Sequence, residues 1–336
     1  MSDERLIYVS ETHVRNADHL LQLAVLKALP PEKLVLGVEW FQAPFQPALD
    51  AYIAGTIDEA EMLRRTEYFD RWGFDYRLYR PIIRYAREHG IPIIALNASR
   101  ELTQAIRESG MNGLEGELKA QLPDGYDYSD AEYETHLRGV FAQHAGADQG
   151  FERFRDVQLT WDETMAQNVA LQLQQPGNRQ ILVLAGRGHI GGRHGIPNRV
   201  TRRTGERGVI VASYATGLPA RAQADYLVLN EEQPLPPKGL MGALLDVEED
   251  RVEIKDFTPG SAARDAGVKS GDRIVAIDGQ EASDFTRFKL LMMEKQPGDT
   301  INLRVMRKKL FGGEKEVDLE FELKGSTRHG MGSHGR

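Results

Sequence analysis

Short apolar runs, separated by longer segments of mixed polarity, recur along the first two-thirds of the chain. Leu6–Val9, Leu34–Val38, Pro92–Leu96, Ile181–Ala185, Val209–Ser213 and Tyr226–Leu229 are strand-length and nearly continuous in apolar character. That is the pattern of strands covered on both faces. Helical periods lie between them. Asp18–Leu29 is amphipathic and is stopped by Pro30-Pro31. Pro81–His89 opens on proline and ends at Gly90, the asymmetry of a helix start and stop. Ser99–Ser109 begins with an N-capping serine and ends at Gly110, and about Phe151–Gln174 carries Phe154, Val157, Trp161, Met165 and Val169 on one stripe. The alternation predicts an α/β domain, a mainly parallel sheet flanked by helices.

Residues 231–238, Glu-Glu-Gln-Pro-Leu-Pro-Pro-Lys, break this texture with a proline-rich linker that cannot join a central sheet. After it come short alternating strands, turn glycines and one short helix, which predict a small β-rich domain over 239–325. Residues 326–336 are mostly Gly, His, Ser and Arg and predict a disordered tail. The first domain accordingly spans 1–230. A length of 336 residues suits two cores.

Composition narrows the function. No apolar run approaches the roughly 20 residues that span a bilayer, so no transmembrane segment is expected. The net charge of −8 argues against nucleic acid as partner; the basic runs at Arg199-Val-Thr-Arg-Arg and Arg304-Val-Met-Arg-Lys-Lys read as solvated edges. The absence of cysteine removes disulfides, thiolate metal sites, Cys nucleophiles and covalently attached c-type haem. Met1-Ser-Asp-Glu-Arg leads into a strand with no secretory leader, so the chain is either cytoplasmic or has been given without its export signal.

Candidate chemistry sits where strands end. The first strand runs into Ser10-Glu11-Thr12-His13, the second into Glu39-Trp40, the third into Asn97, and the fourth into Gly186-Arg187-Gly188-His189. The carboxyl ends of parallel strands share one edge, where ligands bind. Each residue also has a plain structural role: Glu11 at a helix N-terminus, His13 as a loop residue, Arg187 neutralising Glu39. Recurrence at four strand ends favours a site. Two His and one or two carboxylates suit Zn, Mn, Fe or Co. No P-loop and no G-x-S-x-G elbow is present. A second cluster is aromatic: Tyr68, Phe69, Trp72, Phe74, Tyr76 and Tyr79. It reads either as core packing or as a wall for a planar ligand such as a porphyrin, with a tyrosine able to ligate iron.

Gly37-Val-Glu-Trp-Phe41, Gln46-Pro-Ala-Leu-Asp50-Ala-Tyr-Ile-Ala-Gly55, Arg71-Trp-Gly-Phe-Asp-Tyr-Arg-Leu-Tyr-Arg-Pro81, Ala95-Leu-Asn97-Ala, Trp161-Asp-Glu-Thr-Met-Ala166, Ala185-Gly-Arg-Gly-His-Ile190 and Gly195-Ile-Pro-Asn-Arg199 follow in that order. Together, over about residues 5–230, they resemble the ChaN-type haem-binding uptake family of the Tiki/TraB superfamily. The resemblance implies a bacterial cell-envelope or periplasmic protein of haem or iron uptake. It implies non-covalent haem held at a homodimer interface by a tyrosine. Tyr76 and Tyr79 are the expected ligands, with Trp72 and Arg187 beside the haem. The wider superfamily has a G-x-x-H motif near each end of the domain and a glutamate between, and its Tiki members are metal-dependent proteases. Gly186-Arg-Gly-His189 matches the second motif; Ser10-Glu-Thr-His13 has serine where glycine is usual. Lys238-Gly-Leu-Met-Gly242-Ala-Leu-Leu, Pro259-Gly-Ser-Ala-Ala-Arg-Asp-Ala-Gly-Val268 and Ser270-Gly-Asp-Arg-Ile-Val-Ala-Ile-Asp-Gly279 resemble a PDZ domain. That resemblance implies capture of a partner's C-terminal peptide by Leu240, Met241, Gly242 and Ala243. Ser261 is then a helix-start residue and not a nucleophile.

Three functions compete: a haem-binding envelope protein whose PDZ domain docks a partner; a divalent-metal hydrolase of peptides using His13, Glu39 and His189 with Glu11 as general base; and a non-catalytic PDZ scaffold. The resemblance ranks haem first, whereas the residues alone rank the metal first.

Overall fold

The computed structural model describes residues 4–143, 150–177, 179–214, 224–248 and 251–325. The expected tail 326–336 lies outside them. The chain divides into two compact units, Met1–Pro234 and Leu235–Arg336.

In the first unit, six strands form one parallel sheet: β1 Leu6–Glu11, β2 Leu34–Gln42, β3 Ile93–Asn97, β4 Gln180–Gly186, β5 Val209–Ser213 and β6 Tyr226–Val228. Their order across the sheet is β3-β2-β4-β1-β5-β6. Every residue of β1 and β4 is buried, as strands covered on both faces must be. The helix Phe151–Leu173 lays Met165, Ala166, Val169 and Leu173 against Leu6, Tyr8, Val35, Ile181 and Val183, and Ile196 and Val200 from the helix Ile196–Thr204 complete that core. Burial of side chains this size contributes about 1.5–3 kcal/mol each.

One helix starts earlier than its proline suggests. Tyr76–Glu88 is a single helix with Pro81 inside it. Asp75 caps it by accepting from Arg77 N–H at 3.2 Å. The apolar stripe Tyr76, Tyr79, Ile82, Ile83 and Ala86 is buried across the proline, and that packing outweighs the one hydrogen bond Pro81 cannot make. The start of the linker is also tied down. Asn230 donates to Ala17 O at 2.8 Å and to Ser213 Oγ at 2.9 Å, Arg15 pairs with Glu232, and Asn16 donates to Gln233 O.

The second unit is one sheet of six strands, β7 Ala243–Glu248, β8 Arg251–Phe257, β9 Arg273–Ile277, β10 Gln280–Glu281, β11 Thr300–Lys308 and β12 Glu314–Glu322. Its order is β12-β11-β9-β8-β7, with β10 on β9 and all pairs antiparallel. Among the described residues two helices accompany it, where one was expected: Ala262–Asp265 and Phe285–Met293. β7 lies at the end of the sheet order, so one of its edges has no strand partner among the described residues.

Candidate functional site

Strand order builds the site. β2, β4 and β1 are neighbours, so three of the four polar strand ends are adjacent. Glu11, the last residue of β1, pairs with Gly186, the last residue of β4, and Glu39 follows the Val38–Leu184 pair. His13 comes two residues after β1, and His189 lies on the short helix Arg187–Ile190 directly after β4.

Glu11, His13 and Glu39 each offer a ligand atom within 4.8 Å of one another. His189 Nε2 stands 3.4 Å from Glu39 Oε1, joining the group. Each imidazole is backed by a carboxylate on its other nitrogen. His13 Nδ1 lies 2.6 Å from Glu11 Oε1, and His189 Nδ1 lies 2.6 Å from Asp162 Oδ1. An ionised carboxylate only accepts, so in both rings Nδ1 donates and Nε2 is left for the interior of the group. Gly186 permits the approach. Its N–H donates to Glu39 Oε2 at 2.6 Å, and a Cβ there would lie 2.8 Å from His13 Cε1.

Asn97, at the end of β3, stays apart; its Oδ1 accepts from the N–H of Ala98. Arg187 does not neutralise Glu39. It is exposed, and among the described residues no carboxylate pairs with it. Glu39 is held by Gly186 and His189 instead, because the turn into the helix Arg187–Ile190 carries the guanidinium outward.

Electrostatics match a site that gathers positive charge. Burial opposes a charged His189, yet Asp162 and Glu39 outweigh it and push the imidazole up to about 9. Burial likewise opposes a charged His13, but the Glu11 hydrogen bond and Glu39 raise it. Burial raises the Glu11 carboxyl, against the pull of His13. Neighbouring His19 goes the other way: burial lowers it to about 4. Glu11 Oε2 is buried and has no hydrogen-bond partner among the described residues. His19 Nε2 lies 3.5 Å from it, and a buried carboxylate oxygen held by so long a contact has a lone pair to offer a cation. Glu11 is 2% exposed and its Oε1 is engaged by His13.

The aromatic cluster is mostly core. Tyr76 and Tyr79 are 1% and 0% exposed. Tyr76 donates to Glu59 Oε1 at 3.0 Å, and the Tyr79 hydroxyl is 3.5 Å from the carbonyl of His13. Burial drives both phenols far above their ordinary value. Neither presents an oxygen at the surface in this arrangement. Trp72 and Phe74 remain partly open and wall His13, with ring centroids 5.1 and 4.5 Å away.

Near the other end of the sheet lies a different tyrosine. Tyr214 directly follows β5 and is 39% exposed. Residues paired across parallel strands share a face and alternate along it, so Tyr214 falls with Leu227 and Leu229, which are 37% and 82% exposed.

In the second unit, Ser261 caps the helix Ala262–Asp265, accepting from Arg264 N–H at 3.1 Å, and donates to Met241 O. The N–H of Leu240 donates to Lys324 O at 2.8 Å. The Leu240 N–H is therefore already engaged within the domain. The N–H groups of Met241 and Gly242 have no acceptor among the described residues, and Ala243 opens the edge strand β7.

Residues 1–200 match the family model described as haem-binding uptake, Tiki superfamily, ChaN. The chain belongs to the ChaN family. A PDZ-domain model matches residues 239–323, so this ChaN-family chain carries a C-terminal PDZ domain. Among solved structures it is similar to ChaN of Campylobacter jejuni, described with cofacial heme binding: TM-score 0.55, 17% identity, covering 68% of this chain and 88% of that one. Among curated proteins it is similar to RETICULATA-RELATED 5, chloroplastic, of Arabidopsis thaliana, 24% identical over 80% of this chain and 36% of the relative. A serine protease Do-like HtrA of Lactobacillus helveticus is 37% identical over 20% of this chain and 15% of its own length. The chain thus spans well under half of these curated relatives.

Sequence reasoning about this ChaN-family chain missed Asp162, Tyr133 and His19. Asp162 sits in the quoted Trp161-Asp-Glu-Thr-Met motif. The signal was available there: two consecutive acids, Asp162 and Glu163, interrupt the apolar side of a helix, and both are buried, at 1% and 0% exposure.

Proposed function

We propose that this chain is a haem-binding protein of the bacterial cell envelope that serves haem or iron uptake and docks the C-terminus of a partner through its PDZ domain. The observation that carries the haem reading is Tyr214, an accessible phenol flanked by exposed Leu227 and Leu229 at the edge of a ChaN-family sheet. A porphyrin face needs apolar surface, and ferric iron accepts a tyrosinate ligand. Tyr214 here replaces Tyr76 and Tyr79 as ligand. Among the described residues β6 ends the sheet order, and a strand edge without a partner there offers a second copy a place to add, which supports the homodimer expected of the family. Among the described residues no helix is long and apolar enough to cross a membrane.

The test is a haem titration of the full chain followed by absorption and by sedimentation. Haem binding through Tyr214 predicts a tyrosinate-type spectrum that is lost in Tyr214→Phe and kept in Tyr76→Phe, with haem increasing the dimer fraction. A spectrum indifferent to Tyr214→Phe rejects this ligand, and the absence of any spectral change rejects the haem reading.

A second reading rests on a separate observation, the convergence of Glu11, His13 and Glu39 within 4.8 Å, with His189 Nε2 3.4 Å from Glu39 Oε1. Those four residues would hold a divalent cation (Zn, Mn, Co or Fe) with one mixed set of nitrogen and oxygen donors. A cation there would lower the pKa of bound water to about 7, the chemistry of a metal-dependent hydrolase. His13 and His189 would be held in place by Glu11 and Asp162, and Trp72 and Phe74 would shield His13 from water. Metal analysis of the purified protein, with loss of metal in His189→Ala, tests it; protein that takes up neither Zn, Mn nor Co rejects it.

A further inference from the structure

His189 is turned toward the strand-end group by residues that are not part of that group. Its Nδ1 donates to Asp162 Oδ1 at 2.6 Å, while the other oxygen of Asp162 accepts the Tyr133 hydroxyl at 2.5 Å. Both carboxylate oxygens are therefore occupied, and the side chain of Asp162 is 2% exposed. Tyr133 is fixed in turn: it is 3% exposed, and the Arg199 guanidinium lies 4.0 Å over its ring. Arg199 donates to Gly195 O at 3.0 Å. Gly195, at φ +69°, brings its backbone so near that a Cβ would lie 2.5 Å from His189 O and 2.9 Å from Asp162 Oδ1. The helices Ala131–Gln143, Phe151–Leu173 and Ile196–Thr204 thus converge behind one imidazole.

We propose that Asp162, oriented by Tyr133, is the positioning residue that keeps a proton of His189 on Nδ1, so that Nε2, which faces Glu39, is the nitrogen that gives up its proton to a cation. Cation affinity at the strand ends then depends on two residues that never touch the cation; this consequence rests on the cation reading above. Orienting carboxylates of this kind carry about 10–100-fold in metal affinity.

The direction of the Tyr133 hydrogen bond makes the proposal specific. In Asp162→Asn the amide oxygen is drawn to the Tyr133 hydroxyl, which places the NH2 against Nδ1. Once His189 holds a single proton, as a bound cation requires, that proton is then forced onto Nε2, the nitrogen that faces the cation. Removing the hydroxyl frees the amide to turn over and present its oxygen to Nδ1 again. A damaging substitution at Asp162 is therefore rescued in part by a second one at Tyr133.

The experiment uses the full chain, with Co2+ and Zn2+ titrations followed by calorimetry and by the cobalt visible spectrum, and with the His189 Nδ1–H proton followed by NMR. Asp162→Asn is expected to weaken Co2+ binding about 10–100-fold and to abolish the Nδ1–H resonance. The double variant Asp162→Asn with Tyr133→Phe is expected to regain several-fold in affinity and to restore the resonance. Tyr133→Phe alone, which keeps the carboxylate, shifts the resonance and weakens binding less than Asp162→Asn does. A double variant as weak as Asp162→Asn, or a resonance unmoved in both single variants, overturns the proposal. Failure of the cation reading looks different: the wild-type chain takes up neither Co2+ nor Zn2+, yet its Nδ1–H resonance is present and is abolished in Asp162→Asn.

Discussion

Gly186→Ala asks whether close approach of backbone to His13 is what assembles the site. The backbone at Gly186, φ −59° and ψ 147°, is open to any residue, so the substitution adds no dihedral strain. What it adds is one methyl group whose carbon would lie 2.8 Å from His13 Cε1, 3.2 Å from its Nε2 and 3.3 Å from Glu39 Oε2. Carbon atoms rest at about 3.5–4.0 Å, so the ring must retreat by about 0.7–1.2 Å. It has little room. Glu11 holds Nδ1 at 2.6 Å, and the Phe74 and Trp72 rings stand at 4.5 and 5.1 Å. Overpacking of this kind costs about 1–3 kcal/mol. For a unit of this size that is a fall of about 2–4 °C in Tm per kcal/mol. Gly188→Ala is the matched control, since nothing lies within 4 Å of a Cβ there and it sits two residues on, in the short helix that follows Gly186. Thermal melts of both variants, with Co2+ titration of each, are expected to show Gly186→Ala lowered in Tm and in cation affinity and Gly188→Ala unchanged or slightly stabilised. A Gly186→Ala protein that melts and binds like wild type would refute the packing argument, because the ring would then be free to move without loss.

Tyr76→Phe removes a buried hydroxyl that donates to Glu59, and is expected to cost about 1–3 kcal/mol in urea denaturation while leaving haem titration unchanged. Glu59 supplies a pH dependence. Burial alone would raise its carboxyl, but hydrogen bonds from Arg80 and Arg84 hold it below the ordinary range. A folded value below the unfolded one means the stabilisation is full above the ordinary value of 4.5 and is lost as pH falls through the depressed folded value. The Tm gap between wild type and Glu59→Gln should accordingly be constant near neutrality and shrink in acid; a gap independent of pH contradicts the assignment. For the PDZ domain, peptides with a free C-terminus should bind in fluorescence anisotropy and the same peptides amidated should not, because the free N–H groups of Met241 and Gly242 answer a carboxylate. Equal binding of both forms would place recognition elsewhere.

The strands were legible because burial on both faces writes a continuous apolar run, and Leu34–Val38 and Ile181–Ala185 need no long-range information to be read. Their order was not legible. Nothing local to Glu11, Glu39 or Gly186 says that β4 inserts between β1 and β2, and that insertion alone makes the three strand ends neighbours. Recurrence of polar residues after strands was therefore a sound signal for an edge, while Asn97, on β3 at the far side of β2, satisfied the same rule and stayed outside the group. Proline at 81 misled for a related reason. Its local meaning is a helix start, but the buried stripe from Tyr76 to Ala86 is a tertiary demand that overrides one missing hydrogen bond.

Tyrosine ligation shows where local reading reaches its end. Tyr76 and Tyr79 lie in the densest aromatic motif of the chain, and density is what core packing and a porphyrin wall have in common. Exposure separates them: a ligand must offer its oxygen to an incoming iron, and both hydroxyls point into the protein. Tyr214 has a plain sequence neighbourhood and becomes conspicuous only when parallel pairing sets it beside Leu227 and Leu229. The same logic applies to Asp162. A carboxylate that orients an imidazole must be buried to hold it firmly, and on a helix such a residue looks like an error in the apolar stripe. Polar residues that break a pattern inside a core carry more functional information than those that follow the pattern at its edge, because burying them costs free energy that folding alone gives no reason to spend.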